Sequence, residues 1–161
     1  MHKIVLATAA IGAAILFGGQ AIAQGAPPYG ESVNLEQAMK AAAASQAEAA
    51  KNGWGMAIAV VGPTGDLVYF RKMDNTQYAS VTIAQHKARA AATFRRPTKA
   101  FEDRVGQGGA GIAALTLDGI IASDGGYPLI VGGKMIGAIG CSGGTGAQDG
   151  QTCQAGVNAL K

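Results

Sequence analysis

From residue 34 onward the chain switches between two rhythms of apolar and polar positions, one helical and one strand-like. Leu35–Lys51 is Ala-rich and full of good helix formers, with Asn34 placed to cap its start and Asn52-Gly53 to stop it. Met56–Val61 is a dense apolar run that reads as a strand. Gly62-Pro-Thr-Gly65 is a turn, and Asp66–Lys72 is the returning strand, with Leu67 and Tyr69 alternating against Asp66, Val68 and Phe70. Ser80–Phe94 reads as a second helix, and Pro97 as the first turn of a short one running to about Arg104. Gly106–Gly111 is expected to be flexible, and Ile112–Ile121 fits a short helix or a strand. Tyr127–Val131 and Lys134–Cys141 flank a Gly132-Gly133 hairpin turn, and Gln148–Leu160 closes the chain as a helix. Antiparallel hairpins with helices between them predict an α+β layered domain.

The first residues follow a different pattern. His2 and Lys3 precede an uncharged, mostly apolar run from Ile4 to Phe17, and Ala21-Ile22-Ala23 gives a small-x-small cleavage pattern. The run is shorter than the roughly 20 residues needed to span a bilayer. Residues 1–23 are therefore read as a secretory signal peptide, with export to the periplasm or beyond, and residues 24–33 as a flexible Pro/Gly-containing leader. The domain proper is residues 34–161. No later segment is expected to span a membrane.

Thirteen Lys and Arg stand against ten Asp and Glu, an excess too mild to argue for nucleic acid as a partner. Two cysteines, Cys141 and Cys153, fall in what export makes an oxidising compartment. They read either as a disulfide, if the last helix folds back onto its strand, or as two separate buried thiols acting as small hydrophobes. The glycine-dense stretch from Gly125 to Gly146 implies close backbone approach, to another chain or to a flat ligand. Its Gly143-Gly-Thr-Gly146 turn before a helix is a candidate anion cradle, and Asp124 and Asp149 beside the turns read as caps. Ser142 lacks the Gly-x-Ser-x-Gly context of a nucleophile elbow, so hydrolytic catalysis has little support.

Four blocks of residues, in order, resemble the GlcG/HbpS family of haem-binding, proposed haem-degrading proteins, related to the PduO C-terminal domain. They are Ile58-Ala-Val-Val61 with Gly65-Asp-Leu-Val68 and Arg71-Lys-Met-Asp74; Ile83-Ala84 with Lys87-Ala88, Ala91, Phe94 and Pro97-Thr98; Gly125-Gly-Tyr-Pro128; and Gly137-Ala-Ile-Gly140 with Ser142-Gly-Gly144 and Gln148-Asp149. The resemblance covers about Asn34 to Leu160. Gly62, where many members carry Asp, and Cys141, where a small aliphatic residue is usual, depart from it. It implies a profilin-like fold with a five-stranded antiparallel sheet flanked by helices, assembly into homo-oligomers, and haem as cofactor.

Haem needs an axial donor, apolar walls and cations for its propionates. His86, the one histidine after residue 23, is the candidate nitrogen ligand, with a plain surface histidine as its other reading. Thr98 is the alternative metal ligand, or else a helix cap or turn hydrogen bond. Phe94 and Tyr78 are candidate walls, and Arg71 and Arg89, with Arg95 and Arg96, are candidate propionate partners or ordinary surface charges. The sequence thus predicts a secreted or periplasmic haem-binding protein acting in haem or iron handling. A small organic acid binding protein or enzyme, and a non-catalytic oligomeric scaffold, are the alternatives.

Overall fold

The computed structural model describes residues 25–161; residues 1–24, on which the expected signal peptide falls, lie outside the described residues. The elements run α1 (Leu35–Lys51), β1 (Ala57–Val61), β2 (Leu67–Lys72), α2 (Ser80–Phe94), α3 (Lys99–Gly106), a 3-10 segment (Gly109–Thr116), β3 (Gly126–Val131), β4 (Lys134–Ser142) and α4 (Gly146–Asn158). Local chemistry sets most boundaries. The Asn34 side chain accepts from Gln37 N at 2.9 Å while the Gln37 side chain accepts from Asn34 N, and Thr145 and Gln148 repeat this reciprocal cap on α4. Gly132 and Gly133 both have positive φ, 57° and 75°, as a two-residue hairpin turn requires. The stretch 112–121, ambiguous in sequence, is 3-10 helix as far as Thr116 and then irregular.

Among the described residues the sheet has four strands, all antiparallel, in the order β2-β1-β4-β3. The expected fifth strand is not formed; the leader makes only a single bridge to β4. β4 outruns β1, whose pairing stops at Val61 opposite Ala138. The backbone of β4 before that point would otherwise be unpaired. Gly30 N donates to Met135 O and Met135 N to Pro28 O, both at 2.8 Å, with one parallel bridge between Tyr29 and Met135. The leader is therefore tied down from Pro28, because these buried backbone groups need partners.

β1 is buried along its whole length, and its residues alternate between two cores. Met56, Ile58 and Val60 face α1 and α4, where they meet Leu129, Ile139, Cys141 and Cys153. Ala57, Ala59 and Val61 face α2, which presents Ala84, Ala88, Ala91 and Ala92. This second core is made almost wholly of alanine, so α2 lies unusually near the sheet. A Cβ on Gly140 would stand 2.1 Å from Ala84 O, and one on Gly126 would stand 2.4 Å from Lys87 O. The close approach forecast by the glycine-dense stretch is thus to the chain's own second helix. On the opposite face Cys141 of β4 and Cys153 of α4 form a disulfide, with Cα atoms 5.6 Å apart.

Candidate functional site

The two Gly-rich turns, from strands and helices far apart in sequence, are joined by a buried polar hub. Lys87, on the sheet side of α2 and 1% exposed, donates from Nζ to Asp149 Oδ2 at 2.7 Å and to the carbonyl oxygen of Asp124. Asp149 Oδ1 accepts from Gly144 N at 2.9 Å, which locks the turn before α4. Asp124 Oδ1 accepts from Gly125 N at 2.6 Å and from the Tyr127 hydroxyl at 2.9 Å, and Asp124 N donates to Glu102 Oε2 at 2.7 Å. Burial pushes the Asp149 carboxyl up from its ordinary range, against the pull of Lys87 and the Gly144 amide. Burial, then the hydrogen bond to Asp124, raises the Tyr127 phenol. The Gly144 and Thr145 amides of the turn before α4 are therefore committed to Asp149 and Gln148.

Tyr127 carries this hub to the surface. It forms one wall of a cleft of about 640 Å3, with Pro128 and Ile130 from β3 and Gln154 and Val157 from α4. Pro128 is tolerated there because β3 is an edge strand. The opposing rim is Arg95, Arg96, Pro97 and Ala100, and Gly25–Pro27 and Lys161 complete it. Arg95 closes α2 in the left-handed conformation, φ 53°, a position glycine or asparagine fills more cheaply. Its guanidinium lies 5.1 Å from the Tyr29 ring centroid, and that of Arg96 lies 5.9 Å from the Phe101 ring centroid. An apolar floor under three cations suits a flat, amphiphilic anion.

The residues singled out in sequence do not converge. Thr98 is fully buried, and its Oγ1 accepts from Gly126 N at 2.9 Å while its own amide donates to Gly126 O. Its hydroxyl belongs to the turn, the plainer of its two readings, and cannot reach a metal without breaking it. Phe94 packs edge-on against Phe101, with ring centroids 5.1 Å apart, and is itself partly exposed. Tyr78 is 91% exposed beyond the start of α2, with Lys72 Nζ 5.8 Å from its ring centroid. His86 is partly exposed on α2, and Arg89, also on α2, bonds Gly65 O at 3.4 Å. Arg71 is on the other face of the sheet, held against Gln46 of α1. Ser142 Oγ is buried against Ser80 Oγ at 3.0 Å, away from any histidine. Sequence reasoning gave Lys87 no site role, whereas Tyr127, a candidate flat wall for a planar ligand or else a core residue, does line the cleft. The signal for Lys87 was its place among the alanines that face the sheet.

A small α+β domain with one antiparallel sheet, helices on both faces and a cationic cleft at the edge strand is the class these features define. A family model described as "Haem degrading protein HbpS-like" matches residues 33–158, and the chain belongs to that family. Protein GlcG of Escherichia coli (strain K12) is 42% identical over 112 residues, 68% of this chain and 82% of that protein. The crystal structure of HbpS superposes with a TM-score of 0.74 at 28% identity, covering 82% of this chain and 92% of the other. That of a PduOC:Heme complex does so with a TM-score of 0.73 at 23% identity, covering 81% and 96%.

Proposed function

We propose that this chain is a secreted or periplasmic haem-binding protein, and that haem lies in the cleft beside Pro97. The observation that carries the reading is the cleft's composition: Tyr127, Pro128, Ile130 and Val157 as apolar wall, with Arg95, Arg96 and Lys161 at the rim. A porphyrin edge with two propionates asks for that division. The left-handed backbone of Arg95 supports it, since strain of this kind is retained where a side chain is needed. Membership of a family described by haem degradation, and a solved relative complexed with haem, point the same way.

In this arrangement Arg95 and Arg96 hold the propionates, and β3 and α4 exclude water from the ring face. Tyr127 offers a phenol oxygen, a donor type known on haem iron. Its proton already points to Asp124 Oδ1, and Lys87 holds the Asp124 backbone in place. Bound iron-porphyrin would supply whatever oxidative chemistry the protein performs, in haem or iron handling; the chain supplies binding and orientation. Hemin titration of the parent and of variants at Arg95 and Arg96, followed at the Soret band, tests the reading.

A further inference from the structure

On the other face of the sheet a second cleft, of about 620 Å3, opens between the end of α1 and β2. Arg71, Lys72, Trp54 and Met73 line it, with Gln46, Asp74 and Asn75. Arg71 is the unusual member. It is half-buried, its Nη1 donates to Gln46 Oε1, and its Nη2 donates to the Tyr69 hydroxyl at 2.9 Å. Both acceptors are neutral. None of the ion pairs among the described residues includes Arg71, and residues 1–24 contain no Asp or Glu to supply a partner.

A partly desolvated guanidinium outside any ion pair is costly unless something pairs with it. Here it is also pre-set: two neutral acceptors fix the plane of the fork, and its remaining N–H donors have no protein acceptor among the described residues. We infer that this cleft is a binding site for a small monocarboxylic acid, separate from the haem cleft, with Arg71 taking the carboxylate. The charge fits one negative group, since Arg71 and Lys72 outnumber Asp74 by one. The Trp54 indole and Met73 give a short carbon frame an apolar wall, and the Gln46 and Asn75 amides can hydrogen-bond a polar substituent.

Trp54 is the chain's single tryptophan, so its emission reports occupancy of this cleft alone. The intact protein is titrated with lactate, benzoate and inorganic phosphate, each against sodium chloride at matched ionic strength. At least one of the two carboxylates should give a saturable change where chloride and phosphate give none. Arg71→Gln should weaken it about tenfold or more, as loss of a charge-assisted contact does. Arg71→Lys, which keeps the charge but not the fork, should weaken it too, while Arg96→Gln in the other cleft leaves it unchanged. The inference is overturned if neither carboxylate saturates, if phosphate saturates equally well, or if Arg71→Gln or Arg71→Lys binds with parental affinity.

Discussion

Lys87 Nζ and Asp149 Oδ2 stand 2.7 Å apart in the interior, with side chains 1% and 4% exposed, 62 residues from each other in sequence. The pair ties α2 to the turn that opens α4. Lys87 also grips the Asp124 carbonyl, so a single ammonium organises both glycine turns.

Removing one partner leaves a buried, uncompensated charge. Lys87→Met should therefore destabilise the fold by about 3–5 kcal/mol, and Asp149→Leu should do the same. The double variant should recover much of that loss, because neither charge then remains. Urea unfolding of the three variants measures this; equal losses that simply add would show that the pair is not coupled.

The disulfide between Cys141 and Cys153 closes a short loop, with a sequence separation of 12. On the chain-entropy model this favours the native state by roughly 3 kcal/mol. Unfolding midpoints with and without reductant should differ accordingly, and thiol counting on the unreduced, denatured protein should find none.

Gly140→Ala should be far worse than an ordinary glycine replacement in a strand. Its Cβ would stand 2.1 Å from Ala84 O and 2.5 Å from Ala88 N, both helix backbone that cannot step aside cheaply. A loss of about 3 kcal/mol or more, at the upper end of overpacking costs, is expected by thermal or chemical unfolding. Gly132→Ala meets no atom within 4 Å and should lose only the smaller cost of its positive φ.

These features mark where the sequence was readable. Asn34, Gly53 and the Gly132-Gly133 turn act within a few residues, so α1 and the second hairpin fall where the pattern puts them, as do α2 and the first hairpin; α4 instead starts at Gly146, two residues before the expected Gln148, behind a Thr145 cap the sequence reading did not use. The layered α+β class followed from that. What depended on distant contacts did not. The glycines of β4 could not declare that their partner was α2. The expected fifth strand is not formed among the described residues, and the leader, expected to be flexible, is held by three backbone hydrogen bonds near Met135 and Ile136. Thr98 and Phe94 carry motif positions, yet the Thr98 side chain serves the Gly126 turn and Phe94 packs edge-on against Phe101. The cleft draws on β3, α4 and the α2–α3 junction; the sequence pointed to Arg95, Arg96 and Pro97 on its rim but not to Ala100, the leader or Lys161.

If Tyr127 ligates the iron, its phenol must lose a proton that burial holds on more tightly than usual. Affinity for hemin should then rise with pH below the phenol's raised range, since ligation releases that proton. Tyr127→Phe should flatten this dependence relative to the parent and shift the Soret band; identical spectra and identical pH profiles would remove Tyr127 as donor.

The most direct test of haem binding in the Pro97 cleft is hemin titration of the protein, read at the Soret band. The parent should saturate at one hemin per chain. Arg95→Gly combined with Arg96→Gln should weaken binding about tenfold or more while keeping the fold, because glycine suits the left-handed position that Arg95 occupies. His86→Ala should bind like the parent, since His86 does not line this cleft. No saturable Soret change, parental affinity in the double arginine variant, or loss of binding in His86→Ala would contradict the account.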